Sequence, residues 1–244
     1  MRKEGDRYDQ TYLSRKLYGK TIHRDYLAHC LRWGFSERFI TADETRILDL
    51  GCGPEAPLAR SLMGGGTVRG RVPGYYLGVD LSPIKPMVNS KRAEYWGEFD
   101  FITRADELPG GFDLVTSFEV IEHMEPADGL RLLKIGRDQM TPDGYFLLST
   151  PCFNGRAARN HVHEYEIEEL AEFVDAADLE VEARYGTFMS TPTLRRVAEP
   201  EVRKIADALS EYLSYEVIAN VFACMYPDHA RNNMWVLRHP EAIS

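Results

Sequence analysis

Cysteine is scarce in this sequence. Four occur in 244 residues (Cys30, Cys52, Cys152 and Cys224), and none sits in a C-x-x-C pair. No disulfide framework is legible, and this usage suits a reducing compartment. Long apolar runs are missing too. The segment 213–226 comes nearest, and Glu216 and Asn220 interrupt it, which excludes a spanning helix there. The first residues are too polar for a secretory leader. A cytoplasmic protein without membrane association is therefore expected. Positive charge is also in deficit, with 29 Lys+Arg against 38 Asp+Glu and a net charge of −9. Such a balance argues against coating a nucleic-acid backbone by charge alone. Residues 1–25 run the other way, with seven cations against four acids, net +3, leaving −12 for the rest. A solvated basic tail is the plain reading of that segment. Repeats, low-complexity tracts and a second domain boundary are all absent.

The most informative stretch present is Ile47-Leu48-Asp49-Leu50-Gly51-Cys52-Gly53-Pro54. An apolar run ends in an acid and then a Gly-x-Gly turn. That pattern reads as a buried strand feeding a loop where backbone can approach a ligand, since glycine tolerates positive φ. Tyr76-Leu77-Gly78-Val79-Asp80 repeats the strand-then-acid ending. A carboxylate at that strand tip can accept the hydroxyl hydrogens of a ribose. The pair describes a pocket for a nucleoside-containing cofactor.

Hydrophobic residues make up 44% and charged residues 27%, enough apolar content for one α/β domain of this length. Helix-like spacing runs from Ile22 to Trp33 and stops at Gly34. Strands are predicted at 46–50, 76–80, 99–102, 113–118, 144–149 and 179–187, with a last one at 233–238. Helices are predicted from Ala56 to Met63, at 127–140 and at 166–176, and in two pieces between Pro192 and Tyr226. Gly64–Gly66 and Gly70–Gly74 mark a flexible connection. Strand alternating with helix implies a doubly wound, mostly parallel, seven-stranded sheet of the Rossmann-like kind. The last strand should pair with the one near 180. The expected organisation is one domain over 1–244: an N-terminal helical cap (1–40), a cofactor-binding core (41–190), a helical lid inserted before the last strand (191–230), and a terminal strand and tail (231–244).

Two cofactor readings compete at the glycine turn. Gly51-x-Gly53-x-x-Ala56 fits the loose dinucleotide fingerprint, but Asp80 lies 27 residues beyond Gly53, farther than that fingerprint expects. The later run Phe112-Asp113-Leu114-Val115-Thr116-Ser117-Phe118-Glu119-Val120-Ile121-Glu122-His123 tips the balance. With these motifs in order, the chain resembles the class I S-adenosylmethionine-dependent methyltransferases over roughly residues 40–190. The resemblance implies that Gly51, Cys52 and Gly53 line the methionine and ribose of S-adenosylmethionine. Asp49 would help orient the loop, and Asp80, with Leu81 beside it, would hold the ribose. Asp106 would accept from the adenine amino group, and Phe118 would pack beside the sulfonium. A plain loop acid or helix cap remains an equal reading of Asp106.

Glu119, Glu122 and His123 fall within five residues, and Asn160-His161-Val162-His163-Glu164-Tyr165 follows forty residues on. Ubiquinone-biosynthesis O-methyltransferases and small-RNA 2′-O-methyltransferases look similar here. That resemblance implies a divalent ion such as Mg²⁺ on Glu119, Glu122, His123 and His163. Two further readings stay open: His123, with Glu119, as metal-free acid–base catalyst, or an acidic turn that walls the acceptor pocket. Tyr8, Tyr12, Tyr18 and Tyr26 either cover the cofactor or form a packed helix face. Arg195, Arg196, Arg203 and Lys204 in the lid either meet an anionic acceptor or face solvent. The expected function is methylation of a small-molecule acceptor, most readily on oxygen. The alternatives are a methyltransferase for a nucleotide or nucleic-acid end, a non-catalytic cofactor-binding subunit, and a nicotinamide oxidoreductase.

Overall fold

A computed structural model of the chain describes residues 24–63 and 71–240. Tyr8, Tyr12 and Tyr18, nearly all of the basic first 25 residues, and Gly64–Gly66 lie outside the described residues. The strands are β1 (Arg46–Leu50), β2 (Tyr75–Val79), β3 (Ala93–Trp96), β4 (Phe112–Phe118), β5 (Met140–Pro151), β6 (Glu180–Phe188) and β7 (Asn232–Arg238). The helices are α1 (Arg24–Ser36), α2 (Pro57–Met63), α3 (Pro126–Gln139), α4 (Ile167–Ala176), α5 (Thr191–Val197), α6 (Pro200–Leu209) and α7 (Tyr215–Phe222).

All seven strands form one sheet in the order β3-β2-β1-β4-β5-β7-β6. The first five pair in parallel, and β7 runs antiparallel between β5 and β6. This is the expected Rossmann-like sheet, with the helical insertion before the last strand. Successive strand residues point to opposite faces. Leu48 and Leu50 therefore pack with Leu132 and Leu133 of α3 and Leu170 of α4, while Ile47 packs with Trp33 of α1 and Leu58 and Leu62 of α2. Helix layers cover both faces, which is why β1 and β2 read as unbroken apolar runs.

Two expectations are corrected. The third strand is not at 99–102 but at Ala93–Trp96, paired parallel to β2. Phe99 and Phe101 are buried as expected of core residues. Asp100 between them folds the backbone into a turn, its carboxylate accepting from Ile102 N (3.0 Å) and Thr103 Oγ1 (2.9 Å). The insertion has three helices, not two. Pro192 and Pro200 open α5 and α6, and the Ser214 hydroxyl caps α7 by accepting from Val217 N. These helices share a small core of their own around Leu194, Ala206 and Ile218.

No helix among the described residues is long and apolar enough to cross a membrane.

Candidate active site

The carboxyl ends of β1, β2 and β4 meet at one edge of the sheet. Gly51 and Gly53 both adopt left-handed backbone, with φ of +76° and +75°. The turn they make is tied under β2, with Gly51 N and Cys52 N both donating to the Val79 carbonyl at 2.9 and 3.0 Å. Asp80 closes the arrangement: one oxygen accepts from Gly53 N (2.8 Å) and the other from Ser82 N (2.7 Å). A carboxylate offers about four lone-pair directions, so this acid both fixes the loop and keeps acceptor capacity. Cys52 is buried, with its sulfur beside Gly78, where an added Cβ would lie 2.9 Å away. Burial, then the charges of Asp49 and Asp80, push its thiol far up, so it is no nucleophile.

Asp49 lies beneath the loop, 3% exposed. Its carboxylate accepts from Tyr76 on β2 (2.6 Å) and Thr116 on β4 (2.8 Å), bracing three strands. Burial raises its pKa to about 6, against the lowering effect of those two hydroxyls. Phe118 is half-buried at the end of β4, Leu81 is 65% exposed, and Asp106 is exposed in a short turn at 105–107.

The Glu-x-x-Glu-His run begins in left-handed backbone at Glu119, φ +58°. Three elements converge on its carboxylate. Arg32 of α1 lies 3.2 Å from Oε1, Ser149 of β5 donates to the same oxygen (3.0 Å), and Asn232 of β7 donates to Oε2 (2.8 Å). Glu122 is 1% exposed and accepts from Thr150 (3.1 Å). Burial first, and the neighbouring Glu119 second, hold its carboxyl well above the usual range. Its backbone carbonyl accepts from Val162 N and His163 N, which fixes the loop at 160–165 beside it.

That loop brings in His161. The ligand atoms of Glu122, His123 and His161 lie within 4.8 Å of one another. The Asn160 carbonyl accepts from His123 Nδ1 (3.0 Å) and Glu164 takes His161 Nδ1 (2.6 Å), which leaves the lone pair of each neutral ring on Nε2. Glu164 is in turn gripped by Arg231 at 2.7 Å on both oxygens. Burial opposes its ionisation, but Arg231, Ala158 N and His161 together keep its pKa below the usual range. Imidazoles oriented through Nδ1 in this way suit a divalent ion.

The expected four-ligand set is not assembled. Glu119 is engaged by Arg32, and His163 is drawn to Glu169 (2.7 Å). The group that comes together is one carboxylate and two imidazoles, a donor set softer than Mg²⁺ prefers. Sequence reasoning missed Arg32, Arg231 and Asn232, and took His163 rather than the neighbouring His161 as the ligand, with Glu164 left as a candidate acidic first turn. Arg32 and Asn232 lie 87 and 113 positions from Glu119, so no local spacing could have found them.

A cavity of about 630 Å³ opens between the ends of β5 and β6, the start of α4 and the start of the lid. Phe153, Phe188, Ser190, Arg196, His229 and Arg231 are among its lining residues. Arg231 is thus shared between the cavity wall and the Glu164–His161 pair. Of the lid cations, Arg195 instead stacks over Tyr215, 4.5 Å from the ring centre.

Sheet order and the closed glycine turn define a doubly wound α/β protein that opens at the carboxyl edge of its parallel strands. A family model described as a methyltransferase domain matches residues 21–199. The chain belongs to this family. No curated protein sequence matches it. Among solved structures it resembles a 1,6-didemethyltoxoflavin-N1-methyltransferase from Burkholderia thailandensis (17% identity, TM-score 0.55, 94% of this chain and 85% of that one). It also resembles mitomycin 7-O-methyltransferase (13%, TM-score 0.53), covering 94% of this chain but only 58% of the relative's length. A third is the 4+2 cyclase SpnF (16%, TM-score 0.54, 87% of this chain and 80% of that one). At such identities the likeness speaks for the fold alone, and the three differ in reaction.

Proposed function

We propose that the chain is an S-adenosylmethionine-dependent methyltransferase acting on an oxygen of a small polar molecule. One observation carries this reading: Asp80 is bound to Gly53 N at the tip of two left-handed glycines. That geometry supports a cradle in which Gly51, Cys52 and Gly53 face the methionine and ribose, Asp80 and Leu81 the ribose, Asp106 the adenine and Phe118 the sulfonium. S-adenosylmethionine brings an electrophilic methyl, and transfer is an in-line displacement: an acceptor lone pair forms the new O–CH₃ bond as the S–CH₃ bond breaks, leaving S-adenosylhomocysteine. The protein aligns acceptor and methyl and excludes water. The acceptor's proton goes to His123 at Nε2, with Nδ1 held by Asn160.

Calorimetry tests the cofactor. S-adenosylhomocysteine should bind and NAD should not, and Asp80→Ala should weaken binding by about 10- to 100-fold, the worth of charge-assisted hydrogen bonds. Tight NAD binding would overturn the reading.

The grouping of Glu122, His123 and His161 favours a second reading, in which these three residues would hold a divalent ion that would supply Lewis-acid activation of the acceptor oxygen. It goes with acceptors such as a nucleotide or nucleic-acid end. Activity abolished by EDTA and restored by Mn²⁺ would favour it over His123 acting alone.

A further inference from the structure

We propose that Arg32 is the built-in counter-cation of this site, holding Glu119 where a divalent ion would otherwise bind it and so making Glu119 a positioning residue. The inference rests on reading this edge of the sheet as the methyl-transfer centre. Four observations carry it. The Arg32 side chain is 1% exposed, yet comes from α1 to meet a residue on the far side of the sequence. Its NH1 reaches Glu119 Oε1 at 3.2 Å and Thr187 at 3.4 Å, and its NH2 reaches His29 Nδ1 at 2.6 Å. A guanidinium only donates, so His29 accepts there. Both Glu119 oxygens are engaged, Oε1 by Arg32 and Ser149, Oε2 by Asn232. Its left-handed backbone (φ +58°) is a conformation that persists only where surroundings enforce it, and these contacts come from α1, β5 and β7.

To bring Oε1 to an ion, Glu119 must leave Arg32, stranding a buried positive charge. The ion would also sit beside a guanidinium that repels it. Any ion at this site is therefore held by Glu122, His123 and His161 without Glu119. The same contact ties α1 to the segment 119–123.

The test is Mn²⁺ titration of metal-stripped protein by calorimetry. Arg32→Met should bind Mn²⁺ at least about tenfold more tightly than the wild type, because it frees a ligand and removes a like charge. The double variant Arg32→Met/Glu119→Gln should return to the wild-type value. Glu119→Gln alone leaves the buried Arg32 charge uncompensated near the ion and should weaken Mn²⁺ binding several-fold. Unchanged affinity in Arg32→Met, or a double variant that binds Mn²⁺ well below the wild type, overturns the proposal. The comparison of double variant with wild type decides the matter even where Arg32→Met alone folds poorly, because the double variant leaves neither charge unpaired. S-adenosylhomocysteine affinity is measured on each variant and should stay within about threefold. Failure of the wild type to bind it would refute the cofactor reading while leaving the Mn²⁺ arms readable.

Discussion

Asp49 and Asp80 occupy almost the same place in their strands, yet the fold gives them opposite surroundings. Asp80 is half-buried and accepts two backbone N–H groups. Asp49 is sealed under the loop with two hydroxyls, and its pKa rises to about 6. The sign of the consequence follows. Between pH 4 and 6 the folded protein keeps an Asp49 proton that the unfolded chain has released, so this residue lowers stability as pH rises through that window. The loss totals on the order of 3 kcal/mol and is flat above it. Asp49→Asn should therefore gain stability relative to the wild type between pH 4 and pH 7, read by urea denaturation at each pH. A pH-independent difference would show that Asp49 does not hold its proton. The two glycines separate space from conformation. Both have positive φ, but a Cβ at Gly51 would lie 2.5 Å from Val120 Cγ2, whereas at Gly53 its nearest neighbour is 4.0 Å away. Gly53→Ala should cost about 1 kcal/mol, the strain alone, and Gly51→Ala roughly 2–4 kcal/mol. Equal losses in thermal denaturation would contradict the packing of Val120 on the loop.

At the scale of elements, α3 shows which of two effects wins. Gly136 sits in the last turn of α3, where Ala would gain up to about 1 kcal/mol of helix propensity. A Cβ there would overlap the Phe146 ring of β5. Overpacking costs about 1–3 kcal/mol and more where neighbours cannot yield, and Phe146 is fully buried. Gly136→Ala should therefore destabilise, seen as a lower denaturation midpoint. A stabilised variant would mean α3 rides higher on the sheet than described. The elements were largely legible. β1 and β2 announced themselves as apolar runs because both faces are covered by helices. β3 did not, because it lies at the sheet edge with Glu94 exposed, and its four residues carry no apolar run. Phe99 and Phe101 looked like a strand because burial produces alternation in a turn as well as in a ladder. The division of the insertion into three was written in Pro192, Pro200 and Ser214, each of which marks a helix start.

For the whole molecule, sheet order does the assembling. Because β1 pairs with both β2 and β4, the glycine turn, Asp80 and Glu119 arrive at one edge from three distant stretches of chain. β7, antiparallel between β5 and β6, delivers Arg231 and Asn232 to the same edge from the opposite direction. The net charge of −9 bears on the acceptor. If the acceptor is a small molecule, a short single-stranded oligonucleotide should bind weakly, with little dependence of affinity on salt. A steep slope, with several counterions released, would shift the reading toward a nucleic-acid end.

The sequence by itself determined the sheet, the loop and the family, because these depend on local periodicity, on glycine's access to positive φ and on the order of short motifs. Tertiary structure alone decided the company each acid keeps. Whether Glu119 faces an ion or Arg32, and whether His161 or His163 joins Glu122, depends on contacts between residues about 40 to 113 positions apart. Charge and hydrogen bonding act through space, and nothing in the spacing of one segment encodes what another segment will bring beside it.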